Sequence, residues 1–152
     1  MESREAERGF RFGPHTADVV IEAWGPSLEA VFEEMARAMF EVMTDTSRVE
    51  PRTRVDVEVC GIDLENLLYR WLEELLYHHD TKNLVFSRFE VRKIYERSEG
   101  EEKEVCLEGS AWGEEFDPSK HEPRTVVKAV TYAQMRIARE DGRWVASTVL
   151  DI

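Results

Sequence analysis

A chain of 152 residues with 42% hydrophobic and 34% charged side chains is long enough for one folded core and too apolar to remain disordered. Its net charge of −12 opposes strong, sequence-independent binding to a phosphate backbone, so any service to RNA is expected through a protein partner; an acidic skin suits a basic partner or divalent cations. No apolar run approaches a membrane span and the start is charged, which predicts a cytoplasmic protein with a flexible charged leader over 1–9 and a single domain over 10–152.

Phe10–Phe12 reads as extended, and Gly13-Pro14 as a turn into the alternating run Val19–Trp24. His15 and Asp18 therefore stand at a strand mouth. On local spacing Thr16 and Asp18 cap a loop and His15 bonds to the backbone. Ser27 then caps a helix on which Leu28, Val31, Phe32, Met35, Met39, Val42 and Met43 recur at helical spacing. Its methionines read as flexible core filler rather than a promiscuous binding face.

Pro51 ends a polar connection, and Val55, Val57 and Val59 alternate with charged residues as a half-buried strand. Asp63 caps the second helix, where Leu64, Leu67, Leu68, Trp71, Leu72, Leu75 and Leu76 form a wide apolar stripe. His78-His79-Asp80 closes that helix. Adjacent helical residues point about 100° apart, which favours imidazoles at the negative end of the helix over a shared metal ion.

Leu84 to Tyr95 and Val105 to Trp112 flank a turn at Ser98–Glu102 and predict a long antiparallel hairpin, with Gly109 at a bulge or close approach. Cys60 and Cys106 fall in predicted strands without zinc or CxxC spacing, and are expected as buried reduced thiols in preference to a disulfide. Glu114 to Pro123 has no period and is either a solvated acidic connection or a partner-facing loop. Val126 to Arg139 is expected to be extended with a break near Tyr132. Asp141-Gly142 is a hairpin turn, and Trp144, Ala146, Thr148 and Leu150 alternate in the final strand, so that Asp151 faces away from their stripe. The order of elements predicts an α+β fold with two amphipathic helices packed on a largely antiparallel sheet. Only Asn66, Asn83 and Gln134 carry amide side chains, a bias compatible with a hot-adapted source.

His15-Thr16-Ala17-Asp18, Met43-Thr44-Asp45-Thr46-Ser47, Trp112-Gly113-Glu114, Lys120-His121-Glu122-Pro123, Val127-Lys128-Ala129-Val130-Thr131-Tyr132 and Leu150-Asp151-Ile152 together resemble the archease family, in its order and spacing, from about Phe10 onward. The resemblance implies a strand-helix-strand-strand module with a strand-rich insertion, for which the Leu84–Trp112 hairpin is the candidate. It also implies a role: archeases are accessory proteins of the RtcB-type RNA ligase, which joins tRNA halves, and they promote its guanylylation from GTP and its repeated turnover. By the same resemblance Asp18, Asp151 and Lys128 are the residues of that activation. Asp18, Asp151 and the terminal carboxylate of Ile152 would hold a divalent metal, Ca²⁺ first, with Mg²⁺ or Mn²⁺ as alternatives.

Oxygen donors of this kind suit hard divalent ions. Two other readings compete: a chaperone-like or generic interaction module with no functional metal site, and a stand-alone metal-dependent hydrolase built on His15 and Asp18. The second ranks last, since the sequence has no HExxH motif, Gly-rich phosphate loop or complete nucleophile and base set.

Overall fold

A computed structural model describes residues 7–13 and 17–152. In chain order the elements are β1 (Gly9–Phe12), β2 (Asp18–Gly25), α1 (Leu28–Met43), a 3₁₀ turn at Thr46–Arg48, β3 (Thr53–Gly61), α2 (Leu64–Lys82), β4 (Leu84–Glu99), β5 (Glu102–Glu115), β6 (Ala129–Val130), β7 (Arg136–Glu140) and β8 (Arg143–Asp151). The α+β class holds, with two helices on antiparallel strands. The strands divide into two sheets where the sequence suggested one. The first has the order β1-β2-β8-β6 with β7 also on β8, and the second has the order β3-β5-β4. Alternation shows which face of a strand is buried but not which strand it pairs with, so the division is invisible in the sequence.

Both helices touch strands of both sheets, and one core results. Ser27 Oγ accepts the Ala30 N–H at 3.1 Å and starts α1; Asp63 Oδ1 accepts the Asn66 N–H at 2.8 Å and starts α2. Asn83, in the left-handed region at φ 56°, ends α2. The two helices are tied by the Trp71 indole N–H, which donates to the Phe32 carbonyl at 2.9 Å in a fully buried position. Met35 and Met39 are fully buried, so the methionine stripe of α1 is core. Among the described residues no helix is long and apolar enough to cross a membrane.

One expectation is corrected. Cys60 and Cys106 form a disulfide, because antiparallel pairing of β3 with β5 sets them directly opposite, with Cα atoms 4.0 Å apart. Their separation of 46 residues hides this adjacency in the sequence. Gly9 pairs with Trp24, and Arg8, assigned to the leader, donates to Glu34 and Glu33 of α1 at 2.8 Å each.

The β4–β5 hairpin forms as expected and runs further, to Glu99 on β4 and from Glu102 to Glu115 on β5, and Gly109 sits at a close approach: a Cβ there would lie 2.6 Å from the Glu90 carbonyl oxygen. The aperiodic stretch after β5 is exposed at Asp117, Pro118, Ser119, Glu122 and Pro123, but is clamped to the body through Glu114, Lys120 and His121. The His121 side chain is completely buried; its Nδ1 accepts the Asp117 N–H at 2.9 Å, which leaves Nε2–H to donate to Glu114 at 2.9 Å. Lys120 lies 2.7 Å from the same carboxylate and also pairs with Glu50, whose main-chain N–H donates to Glu114 at 2.9 Å. The chain then crosses the end of α1, where the Arg124 and Thr125 N–H groups cap the Met43 and Val42 carbonyls at 3.0 and 3.1 Å. This clamp delivers Val127, Lys128 and β6 to the first sheet.

Burial pushes the Glu114 carboxyl up, but hydrogen bonds from Lys120, the Glu50 N–H and His121 outweigh it and hold it down from 4.5 to about 2. A depressed carboxylate stabilises the fold above its unfolded pKa and loses that contribution as pH falls through the folded one. Denaturant unfolding measured at a series of pH values should therefore show stability falling between pH 4.5 and about 2. In Glu114→Gln that acid limb flattens and stability at pH 7 drops; an unchanged limb would show that this carboxylate is not what holds the segment.

Candidate functional site

The register of β2 against β8 decides where the terminal residues of the domain meet. Pairing runs from Gly25 opposite Trp144 to Asp18 opposite Asp151. Val19, Ile21 and Ala23 on β2, with Ala146, Thr148 and Leu150 on β8, are buried toward the helices. With a side-chain period of two, Asp18 and Asp151 project together from the opposite, solvent-facing side of the sheet, and both are exposed. The Ile152 N–H donates to the Ala17 carbonyl at 3.5 Å. That bond makes Asp18 and Asp151 a non-hydrogen-bonded pair, the kind whose side chains stand closest, with Cα atoms about 4.5 Å apart. Ile152 is half-buried and packs against the core, so the main chain beyond Asp151 stays at the same strand end.

Among the described residues neither carboxylate has a hydrogen-bonding or ion-pairing side chain. Like charges set directly opposite on adjacent strands destabilise a sheet. The geometry thus offers two hard oxygen donors facing one another with no counter-charge supplied by the described chain.

Lys128 joins this end of the sheet by its backbone. Its N–H donates to the Asp151 carbonyl at 2.7 Å, and the next residue, Ala129, stands opposite Asp151. The Lys128 side chain is exposed and lines a groove of about 400 Å³ between α2 and β6, with Tyr69, Glu73, Tyr77 and Asp80. The structure therefore brings Asp18 and Asp151 together as opposed residues and Lys128 to them through its main chain, with Lys128 also lining the adjoining groove. His15 lies outside the described residues.

The groove has features that sequence reading missed. Tyr69 and Tyr132 stack at 4.4 Å with an interplanar angle of 12°, and Asn66 donates to the Tyr132 hydroxyl. Tyr69 in turn donates to Glu73 at 2.8 Å, and this bond, with burial adding to it, holds the phenol above its ordinary range. Tyr132 was legible as the break between β6 and β7; its seat on α2 was not, because no local pattern links residues 66 apart. A second groove of about 360 Å³, lined by Leu28, Ile62, Leu64 and Ile94 among others, contains none of the expected site residues.

Comparison with known proteins gives a consistent picture. Residues 10–152 match the model of the Archease protein family (MTH1598/TM1083). The chain is 54% identical over 144 residues to the protein archease of Aeropyrum pernix, covering 95% of this chain and 97% of that one. It is 50% identical over 143 residues to that of Sulfurisphaera tokodaii, covering 94% and 98%. Among solved structures, the solution structure of protein 1598 from Methanobacterium thermoautotrophicum superposes with a TM-score of 0.75 at 44% identity, covering 95% and 99% of the two chains. An archease of Thermotoga maritima, described as a possible chaperone, shares the fold with a TM-score of 0.54 at 20% identity over 91% and 93%.

Relieving the carboxylate pair should stabilise the isolated protein. In chelator and low salt, Asp18→Asn is expected to raise unfolding stability by about 0.2–1 kcal/mol, the size of a cross-strand pair term, and Asp151→Asn by a similar amount. The double variant should gain little beyond either single one. Additive gains in chemical denaturation would mean that the two carboxylates do not feel each other.

Proposed function

The chain belongs to the archease family, and from that premise we propose that it is an accessory activator of an RtcB-type RNA ligase, promoting guanylylation of the ligase and its multiple turnover. What supports this reading above all is that Asp18 and Asp151, from opposite ends of the domain, stand directly opposite one another on an exposed sheet face. Such a pair suits a protein that presents charge to another protein's active site better than one with a catalytic centre of its own.

The donor set fits a hard divalent cation, Ca²⁺ first and Mg²⁺ or Mn²⁺ otherwise. Asp18 and Asp151 would hold it, with the carboxylate of Ile152 as a third ligand. When bound, such an ion supplies positive charge toward phosphate oxygens during guanylyl transfer. The chain's own contribution is positional. Eight consecutive β2–β8 pairs fix the two carboxylates on rigid strands, and Lys128 adds a cation at the flank for a phosphate or for an acidic group of the ligase. A charge of −12 argues that contact with the RNA itself is left to the ligase.

The rival reading, a chaperone-like interaction module, would need a surface other than the α1 methionines, since Met35 and Met39 are inside the core.

The test is GTP-dependent RNA joining with substoichiometric ligase, with and without this protein. Wild type should accelerate repeated turnover and consume no GTP alone. Asp18→Ala and Asp151→Ala should stay folded, lose most of the acceleration, and require at least about 10–100-fold more divalent ion for what remains; Lys128→Ala should lose acceleration without changing the ion requirement. Full activity in both aspartate variants would remove the carboxylate pair from the mechanism, whereas GTP consumption by the protein alone would remove the accessory role.

A further inference from the structure

On the far side of the molecule, the second sheet turns one face to the core and the other to solvent. Val55, Val57 and Val59 alternate inward, so Arg54, Asp56, Glu58 and Cys60 point outward, and no helix covers them. On this outer face Cys60 stands opposite Cys106 of β5, and Glu104 precedes Cys106 by two residues on β5. The ligand atoms of Cys60, Cys106 and Glu104 all lie within 4.8 Å of one another. Among the described residues this is the one cluster of three or more such side chains gathered so closely.

We propose that, once its disulfide is reduced, this cluster is a binding site for a soft divalent metal of the Zn²⁺ type, so that the protein carries either a cross-strand disulfide or a two-thiolate, one-carboxylate metal site. Reduction by a dithiol breaks the Cys60–Cys106 bond. The two electrons and two protons pass to the cysteine sulfurs, and the dithiol leaves as its own disulfide. The incoming ion then displaces both thiol protons.

Three observations carry this. First, the distance between the cysteines does not depend on the disulfide. Nine consecutive pairs, Thr53 with Gly113 through Gly61 with Val105, fix β3 on β5, so the sulfurs remain neighbours after reduction. Second, the donor set of two thiolates and one carboxylate is soft enough to select Zn²⁺ over the hard ions that suit the Asp18 and Asp151 pair. Three protein ligands leave a fourth position for water. Third, the site is held and reachable. Arg97 of β4 bonds Glu104 at 2.8 Å and orients its carboxylate, Tyr95 stands opposite Cys106, and Cys106 is fully buried whereas Cys60 and Glu104 are partly exposed, so an ion enters from their side.

The test uses the full-length protein, reduced and freed of reductant without oxygen, and titrated with Co²⁺ as a spectroscopic probe. The expected result is a thiolate-to-cobalt charge-transfer band in the near ultraviolet that saturates at one equivalent and is displaced by Zn²⁺. The oxidised protein should give no such band. Glu104→Gln should keep both thiolates and bind at least about tenfold more weakly, the lower end of what losing even an outer-shell partner costs. Asp18→Ala should bind Co²⁺ at the thiolates unchanged, which separates this site from the carboxylate pair. The absence of a charge-transfer band in reduced protein that retains its wild-type circular dichroism, or an identical band in Cys60→Ser, would overturn the proposal.

Discussion

Everything that places the candidate site rests on one ladder of main-chain hydrogen bonds, the antiparallel pairing of β2 with β8. The two strands lie more than a hundred residues apart in sequence, and no local propensity brings them together. What does is burial. Val19 with Leu150, Ile21 with Thr148 and Ala23 with Ala146 form the inner face, and all six are removed from water against the helices. A slip of one residue would turn Asp18, Val20 and Glu22 inward and expose Val19 and Ile21, so the core sets the register and the register sets the carboxylates.

The rest of the fold reads as support for that ladder. The helix α1 packs on β1, β2 and β8 from one side and on β4 from the other, so the second sheet is held against the first through it. Two bulges in β4, at Ser87 and Arg92, break the ladder where α1 can answer with side chains. Arg37 donates to the Ser87 carbonyl at 3.0 Å, and Glu33 accepts the Val91 N–H at 2.8 Å. Gly113 is required where β5 runs under β4, since a Cβ there would lie 1.8 Å from the Val85 carbonyl oxygen. The return path from β5 to β6 is then held by the Glu114 clamp, which is why Lys128 arrives beside Asp151 with its N–H already committed.

Much of this was legible residue by residue. Both helices began at the capping residues read from the sequence, Ser27 and Asp63, because an N-cap is a local hydrogen bond. The Asp141-Gly142 turn was legible for the same reason, with both residues at positive φ in the structure. The outward face of Asp151 followed from alternation alone. Pairing across distance was not legible. The Cys60–Cys106 bond, the split into two sheets, the seat of Tyr132 on α2 and the burial of His121 all depend on which strands or loops become neighbours, and a single sequence carries no direct record of that. The Asp18 and Asp151 pairing was reached through family resemblance rather than through any spacing, and it belongs to the same class of information.

A pair of like charges at the end of a central strand pair looks like a defect, and magnitudes show why the fold tolerates it. Their repulsion costs on the order of 0.2–1 kcal/mol. Burying a single Val or Leu side chain from the row beneath contributes about 1.5–3 kcal/mol. Val19 and Leu150, adjacent to the two aspartates in sequence and opposite each other in register, are both essentially fully buried, so this one pair outweighs the repulsion. The carboxylates therefore cannot relax by slipping or fraying without exposing the core. They stay close together, on rigid strands rather than on a loop.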